Sequence, residues 1–135
     1  MAVLLCLGGV PVLLSLYDDA TEIERTAPKA VVVSFLGAFF ITEDDEQAAL
    51  YQCESGGEFE QLLQFREDTH RREQDYSVGI SVSWSNLQEV TSGSNSVVTA
   101  ELTRTISGQK GRDSSSWQFS LVDQGGWRVC KAVSA

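Results

Sequence analysis

Hydrophobic rhythm divides the chain into three regions. Residues 1–16, MAVLLCLGGVPVLLSL, carry no charge and stop at Tyr17-Asp18-Asp19. Residues 29–41, KAVVVSFLGAFFI, repeat apolar side chains at helical spacing: Val32, Phe35, Leu36, Phe39 and Phe40 fall on one face. Pro28 suits the first turn of that helix, where its missing N–H costs nothing. Thr42 reads as the N-cap of a short helix from Glu43 to Cys53 that buries Ala49, Leu50 and Cys53. Ser55 and Glu58 have capping-box spacing, ahead of a helix from Gly57 to Arg72. Its inner face uses Phe59, Leu62 and Leu63, with Arg66 at the rim.

From residue 76 the period changes to two. Tyr76, Val78, Ile80, Val82 and Trp84 alternate with Ser77, Gly79, Ser81 and Ser83, as a half-buried antiparallel strand requires. The strand continues over Asn86–Glu89 past a bulge and ends in a turn at Ser92-Gly93-Ser94-Asn95. Residues 96–106 set Val98, Ala100, Leu102 and Ile106 opposite Thr99, Glu101, Thr103 and Thr105. A polar loop over 107–115 leads to a strand of Trp117, Phe119 and Leu121. Asp123-Gln124-Gly125-Gly126 then turns into a last strand over 127–133. Three helices followed by four antiparallel strands make an α+β layer fold, with no βαβ crossover and no phosphate loop. In the last strand Trp127, Val129 and Val133 have one parity, Cys130 and Ala132 the other. Both faces of that strand are then expected to be buried, a mild argument for a dimer.

Compartment enters through residues 1–16. The run falls just short of the ~20 apolar residues of a spanning helix and has no basic flank. It reads as an anchor or truncated anchor, with a cleaved signal or a buried first element as alternatives. Residues 17–135 suffice for one domain. Charge adds an exclusion: 19 acidic against 10 basic residues give a net charge of −9, unsuited to nucleic acid or anionic lipid. The three cysteines change meaning with compartment. Outside the membrane, Cys53 and Cys130 are expected to form a disulfide; in a reducing compartment they are two buried thiols. No metal or cofactor site is expected, since one histidine and this cysteine pair do not make a ligand set.

The closing strands, Trp117-Gln118-Phe119-Ser120-Leu121 and Gly126-Trp127-Arg128-Val129-Cys130, together with the element order over 25–135, resemble the NTF2-like (cystatin-like) superfamily. They are similar to small actinobacterial secreted or membrane-anchored proteins of that fold. The resemblance implies a curved sheet forming a cone, and places Cys53 and Cys130 where a helix–strand disulfide occurs. It also resembles NTF2-like subunits of conjugation and secretion machines.

Chemistry is sparse. His70 lies in a charged helix end, which suits a surface role. The residues expected to line a pocket or an interface are Tyr76, Trp84, Arg104, Trp117 and Trp127. Arg104 stands out because it shares parity with Leu102 and Ile106 and must be paired or at a rim. The leading expectation is a non-enzymatic, membrane-tethered extracytoplasmic domain at the cell membrane, acting through a protein partner or as a homodimer in an envelope or transfer assembly. The alternatives are a domain binding a small molecule in the cone interior, and an enzyme resembling the ketosteroid isomerases and SnoaL-like cyclases.

Overall fold

The computed structural model describes residues 27–54, 57–108 and 111–135. Helix α1 (Pro28–Leu36) opens with proline in its first turn and buries Val31, Val32, Phe35 and Leu36. It runs directly into a π-helical turn, Gly37–Ile41. There Thr42 N–H reaches back five residues to the Gly37 carbonyl, at 3.1 Å. The wider turn lets the adjacent rings of Phe39 and Phe40 both point inward, which a regular 3.6-residue helix resists.

The next helix starts later than its sequence suggests. Asp44, not Thr42, caps α2 (Asp45–Ala49), its carboxylate accepting from Gln47 N–H at 3.1 Å. The Thr42 hydroxyl instead donates to the Ala38 carbonyl at 3.3 Å, closing the preceding π turn. The buried residues here are Ala48 and Tyr51, while Ala49 and Leu50 face solvent.

Helix α3 (Glu60–Tyr76) has Phe59 at its N-cap position and no side-chain cap. Glu58 lies on the edge of the sheet instead, its N–H donating to the Cys130 carbonyl. Ser55 lies outside the described residues. The helix buries Leu62 and Thr69 and turns Phe65 toward the core, while Leu63 is exposed. Ser77 takes a left-handed conformation (φ 52°) and ends it.

Strands β1 (Ile80–Ser92), β2 (Asn95–Ile106), β3 (Arg112–Asp123) and β4 (Trp127–Ser134) form an antiparallel meander in sequence order. Tyr76 and Val78 therefore precede the first strand, and the last part of the expected 107–115 loop, Arg112–Ser115, is the start of β3. Two bulges set the register. One falls between Ser85 and Gln88 of β1, where Asn86 has a positive φ. The other lies opposite Ser120 and Leu121, where Val129 and Lys131 of β4 face consecutive β3 residues and Cys130 is the extra residue. Across this bulge the buried set passes from Trp127 and Val129 to Ala132. One face thus serves the whole of β4, and the parity argument for a dimer lapses.

The helices cover one face of the sheet. Phe35, Leu36, Leu62, Leu102, Phe119, Leu121 and Val129 fill the space between the layers and are fully buried. Phe35, Phe39, Phe40, Phe59, Phe65 and Trp117 make a run of tilted and edge-to-face ring contacts at 5.0–5.8 Å. Tyr51–Cys53 and Glu58 lie beside the free edge of β4, with Cys53 N–H bonded to Val129 O and Ala132 N–H to Glu58 O.

Several expectations are corrected here. The sheet is open: β1 and β4 are its two ends and do not pair, so the NTF2-like cone is not formed. Three helices on a four-stranded antiparallel sheet is the architecture, and its interior is packed with side chains rather than hollow. Among the described residues no helix is long and apolar enough to cross a membrane. Residues 1–16, on which the anchor rested, lie outside the described residues. The membrane-tethered reading, the membrane partner and the placement at the cell membrane are therefore not supported.

Candidate functional site

Where the end of α3 meets the far ends of β1, β2 and β3, the layers part. The register that pairs Val82 with Arg104 and Arg104 with Asp113 carries a charged pair across the sheet just beyond Leu102. One helical turn of α3 supplies Asp68, Thr69 and Arg72 above it. Arg104 is buried, and its guanidinium is enclosed by carboxylates. Nε and Nη2 donate to Asp113 Oδ2, the former at 3.0 Å. Nη1 donates to Asp68 Oδ2 at 2.9 Å, with Thr69 Oγ1 3.4 Å away. The guanidinium carbon also sits 4.5 Å from the Phe65 ring centroid, a cation–π contact on the core side.

Asp68 is shared. Arg71 Nη2 lies 2.6 Å from Oδ1 and Arg72 Nε 3.1 Å from Oδ2. Hydrogen bonds from Arg71 and Arg104 hold its carboxyl below the ordinary aspartate range, with burial opposing them. Arg72 also approaches Asp113, at 3.6 Å. A second, smaller clamp joins α3 to α2. Arg66 donates to Asp45 Oδ1 at 2.8 Å and to the Phe39 carbonyl at 3.2 Å, and it lowers the Asp45 pKa chiefly through the first of these hydrogen bonds.

Beyond Arg104 opens a cleft of about 650 Å³ lined by Arg72, Arg104, Arg112 and Asp113 and by Tyr76, Val78, Ile80, Ile106 and Gly111. That volume lies within the usual range of small-molecule sites, about 300–1,000 Å³. Tyr76 is 73% exposed at its mouth. The turn that carries Tyr76 is pinned: Glu73 O accepts from both Ser77 and Val78 N–H, and Glu73 Oε2 accepts from Ile80 N–H at 3.1 Å.

Of the residues singled out from the sequence, Arg104 and Tyr76 meet at this cleft. Trp117 and Trp127 belong to the core, and Trp84 is half-buried against it. The Trp117 indole N–H is satisfied by Ser115 Oγ at 2.9 Å. His70 faces Glu43, Nε2 to Oε1 at 2.9 Å, away from the cleft lining. Cys53 and Cys130 form a disulfide across a sequence separation of 77, with Cα atoms 4.9 Å apart. It ties the residues after α2 to β4 at its bulge. Sequence reasoning missed Asp68, Arg72, Arg112 and Asp113. The one usable signal was the Asp68/Arg72 i,i+4 spacing within a charged helix end. Arg112 and Asp113 were concealed by their assignment to a loop. Among the described residues no cluster of three or more histidine, cysteine or acidic side chains is placed to hold a metal ion.

The protein is thus an open-sheet, two-layer α+β domain with a charged cleft at one end of its layers. Its fold is similar to that of Bd1075 from Bdellovibrio bacteriovorus, with a TM-score of 0.54, 15% identity, and coverage of 77% of this chain and 37% of that one. It is also similar to a single-residue variant of Rv3472, a protein of unknown function from Mycobacterium tuberculosis, with a TM-score of 0.51, 21% identity, and coverage of 78% and 73%. The chain therefore spans little more than a third of Bd1075. Likeness at these identities concerns the fold and not the activity. No family model and no curated protein matches the sequence, so the NTF2-like resemblance finds no support there either.

Proposed function

We propose that this domain is a small-molecule binding module whose ligand occupies the cleft between the end of α3 and strands β1–β3. The carrying observation is the cleft itself, about 650 Å³ with an apolar wall and a fixed charged wall at one end of an otherwise filled core. The interior between sheet and helices offers no room, because aromatic and aliphatic side chains occupy it. Binding suits the lining better than catalysis does. Among the described residues Asp113 is the one carboxylate in the wall, and its Oδ2 is already engaged by Arg104 and faced by Arg72.

A fragment screen followed by ¹H–¹⁵N spectra of the full chain tests this reading. Shifts are expected to gather at residues 76–80, 106 and 111–113. Gly111→Leu is the matched block. An added Cβ would meet Ile106 Cδ1 at 3.9 Å, ordinary contact, so the longer side chain fills the cleft without forcing the backbone. Fragments that shift other regions, or bind G111L as well as the parent, would refute it.

A further inference from the structure

We infer that the outer edge of β1 accepts a basic extended peptide as a fifth strand. β1 and β4 end the sheet, and the chain treats the two ends differently. It closes the β4 edge itself: Tyr51, Cys53 and Glu58 exchange backbone bonds with Val129, Cys130 and Ala132. No described residue does the same for β1. Register shows which of its groups face outward. Ser107 N–H donates to Gly79 O at 2.8 Å, so these two form a hydrogen-bonded pair. Antiparallel ladders alternate such pairs with residues whose N–H and C=O point away from the partner strand. From the pairing Ile80↔Ile106 onward, the outward residues are Ile80, Val82 and Trp84. Ile80 N–H is taken by Glu73 Oε2, 3.1 Å away. Beyond Ser85 a bulge breaks the register. Between these two stops lies a short ladder, the N–H and C=O groups of Val82 and Trp84, aimed along the plane of the sheet. Both residues turn their side chains toward the helices, while Ser81, Ser83 and Ser85 are exposed beside them. β1 contains no lysine, arginine or proline, the residues that commonly discourage edge pairing.

Unpaired backbone groups call for an extended chain, and charge selects which. Three carboxylates flank the ladder: Glu73 at Ile80, Glu101 opposite Ser85, and Glu89 beyond the bulge. None of them makes an ion pair among the described residues. Glu89 accepts from the main-chain N–H of Lys29 rather than from its ammonium group. Arg104, opposite Val82, is spent on Asp68 and Asp113. A second copy pairing edge to edge would double these carboxylates along one seam and add no cation. A peptide bearing lysine or arginine meets them instead. Neighbouring strands lie about 4.8 Å apart, which puts Glu101 about 10 Å from an added strand. A lysine side chain spans most of that gap over the small Ser83 and Ser85.

The test titrates three capped peptides into the ¹⁵N-labelled full chain: Lys-Thr-Lys-Val-Lys-Thr, its glutamate counterpart Glu-Thr-Glu-Val-Glu-Thr, and a backbone N-methylated form of the first. The lysine peptide should give saturable shifts over residues 80–86 and slow amide exchange at Val82 and Trp84. The glutamate and N-methylated peptides should bind far more weakly, and raised salt should weaken the lysine peptide. Glu101→Gln should weaken it about fivefold, the size of an exposed ion pair. Ser83→Lys, which sets a like charge on the edge, should weaken it at least as much. Gln47→Lys, the same charge change on α2, should have a much smaller effect. The edge works without the cleft, so Gly111→Leu should leave peptide binding unchanged. Equal binding of the lysine and glutamate peptides, or of the N-methylated form, overturns the inference, as does no binding at all. Binding blocked by G111L assigns the peptide to the cleft, and also overturns it. Protection of Val82 and Trp84 that grows with protein concentration, without peptide, assigns the edge to a second copy and overturns it too. None of these results on G111L-insensitive binding bears on the cleft reading. Circular dichroism checks that S83K and E101Q remain folded, and E101Q keeps the test decisive if S83K does not.

Discussion

Replacing Arg104 by alanine should cost this fold about 2–3 kcal/mol. Breaking a fully buried ion pair by removing one partner costs about 3–5 kcal/mol, because the other charge is stranded. Here the arginine side chain is 10% exposed, but its acids are more open, Asp68 at 28% and Asp113 at 46%. Both can recover water, and Asp68 keeps Arg71 and Arg72, so the penalty falls below that range. Part of the loss is packing, since the Arg104 guanidinium covers the Phe65 ring. Arg104→Met, which keeps most of that volume, should therefore lose only about 1 kcal/mol. Urea unfolding of parent, R104A and R104M measures these differences as shifts in midpoint at constant slope.

The same variants carry a pH signature. The Asp68 carboxyl is held below its ordinary value, so the stability it contributes is complete above the unfolded value of 3.8 and is lost as pH falls through the lower folded one. Removing Arg104 takes away the second of the two hydrogen bonds that lower it, leaving the Arg71 bond, the larger cause. The acid limb of the stability curve should become shallower in R104A without flattening completely. A loss below about 1 kcal/mol for R104A, or an unchanged acid limb, would refute the assignment of Arg104 as the clamp between α3 and the sheet.

Two further outcomes test the frame around the cleft. Paired Cys53→Ser and Cys130→Ser changes should cost about 4–5 kcal/mol on the chain-entropy estimate for the enclosed loop, read from urea midpoints. Amide exchange at Val129 and Ala132 should rise, because both N–H groups bond to the segment that the disulfide holds. Asp44→Ala should cost about 1 kcal/mol as the loss of an N-cap. Thr42→Ala should cost about half of that or less in the same thermal or urea assay, since its hydroxyl bonds a carbonyl at 3.3 Å rather than a free helix N–H.

Much of the layer order was legible along the chain. The period-two run through Val98, Ala100 and Leu102, and the helical spacing of Val32, Phe35 and Leu36, assign each segment to strand or helix and choose its buried face. Arg104 was visible as a charge in register with that face. Positions where local and tertiary forces compete were not legible. The π turn at Gly37–Ile41 exists because two adjacent phenylalanines both find room in the core. Glu58 leaves its capping position for the edge of β4 because backbone bonds to Cys130 and Ala132 are available there. The bulge at Cys130 returns the end of β4 to the core face. Each depends on contacts between residues far apart in sequence.

Residue pattern by itself therefore determined element types, buried faces and the acidic balance, because each is a matter of local periodicity and composition. Only the tertiary structure decided that the sheet stays open, that the layers are filled by aromatic side chains, and that Asp68, Arg72, Arg104 and Asp113 form one ion-pair cluster beside the cleft. Strand register and the placement of α3 across the sheet set those distances, and neither is encoded in the spacing of residues within a single element.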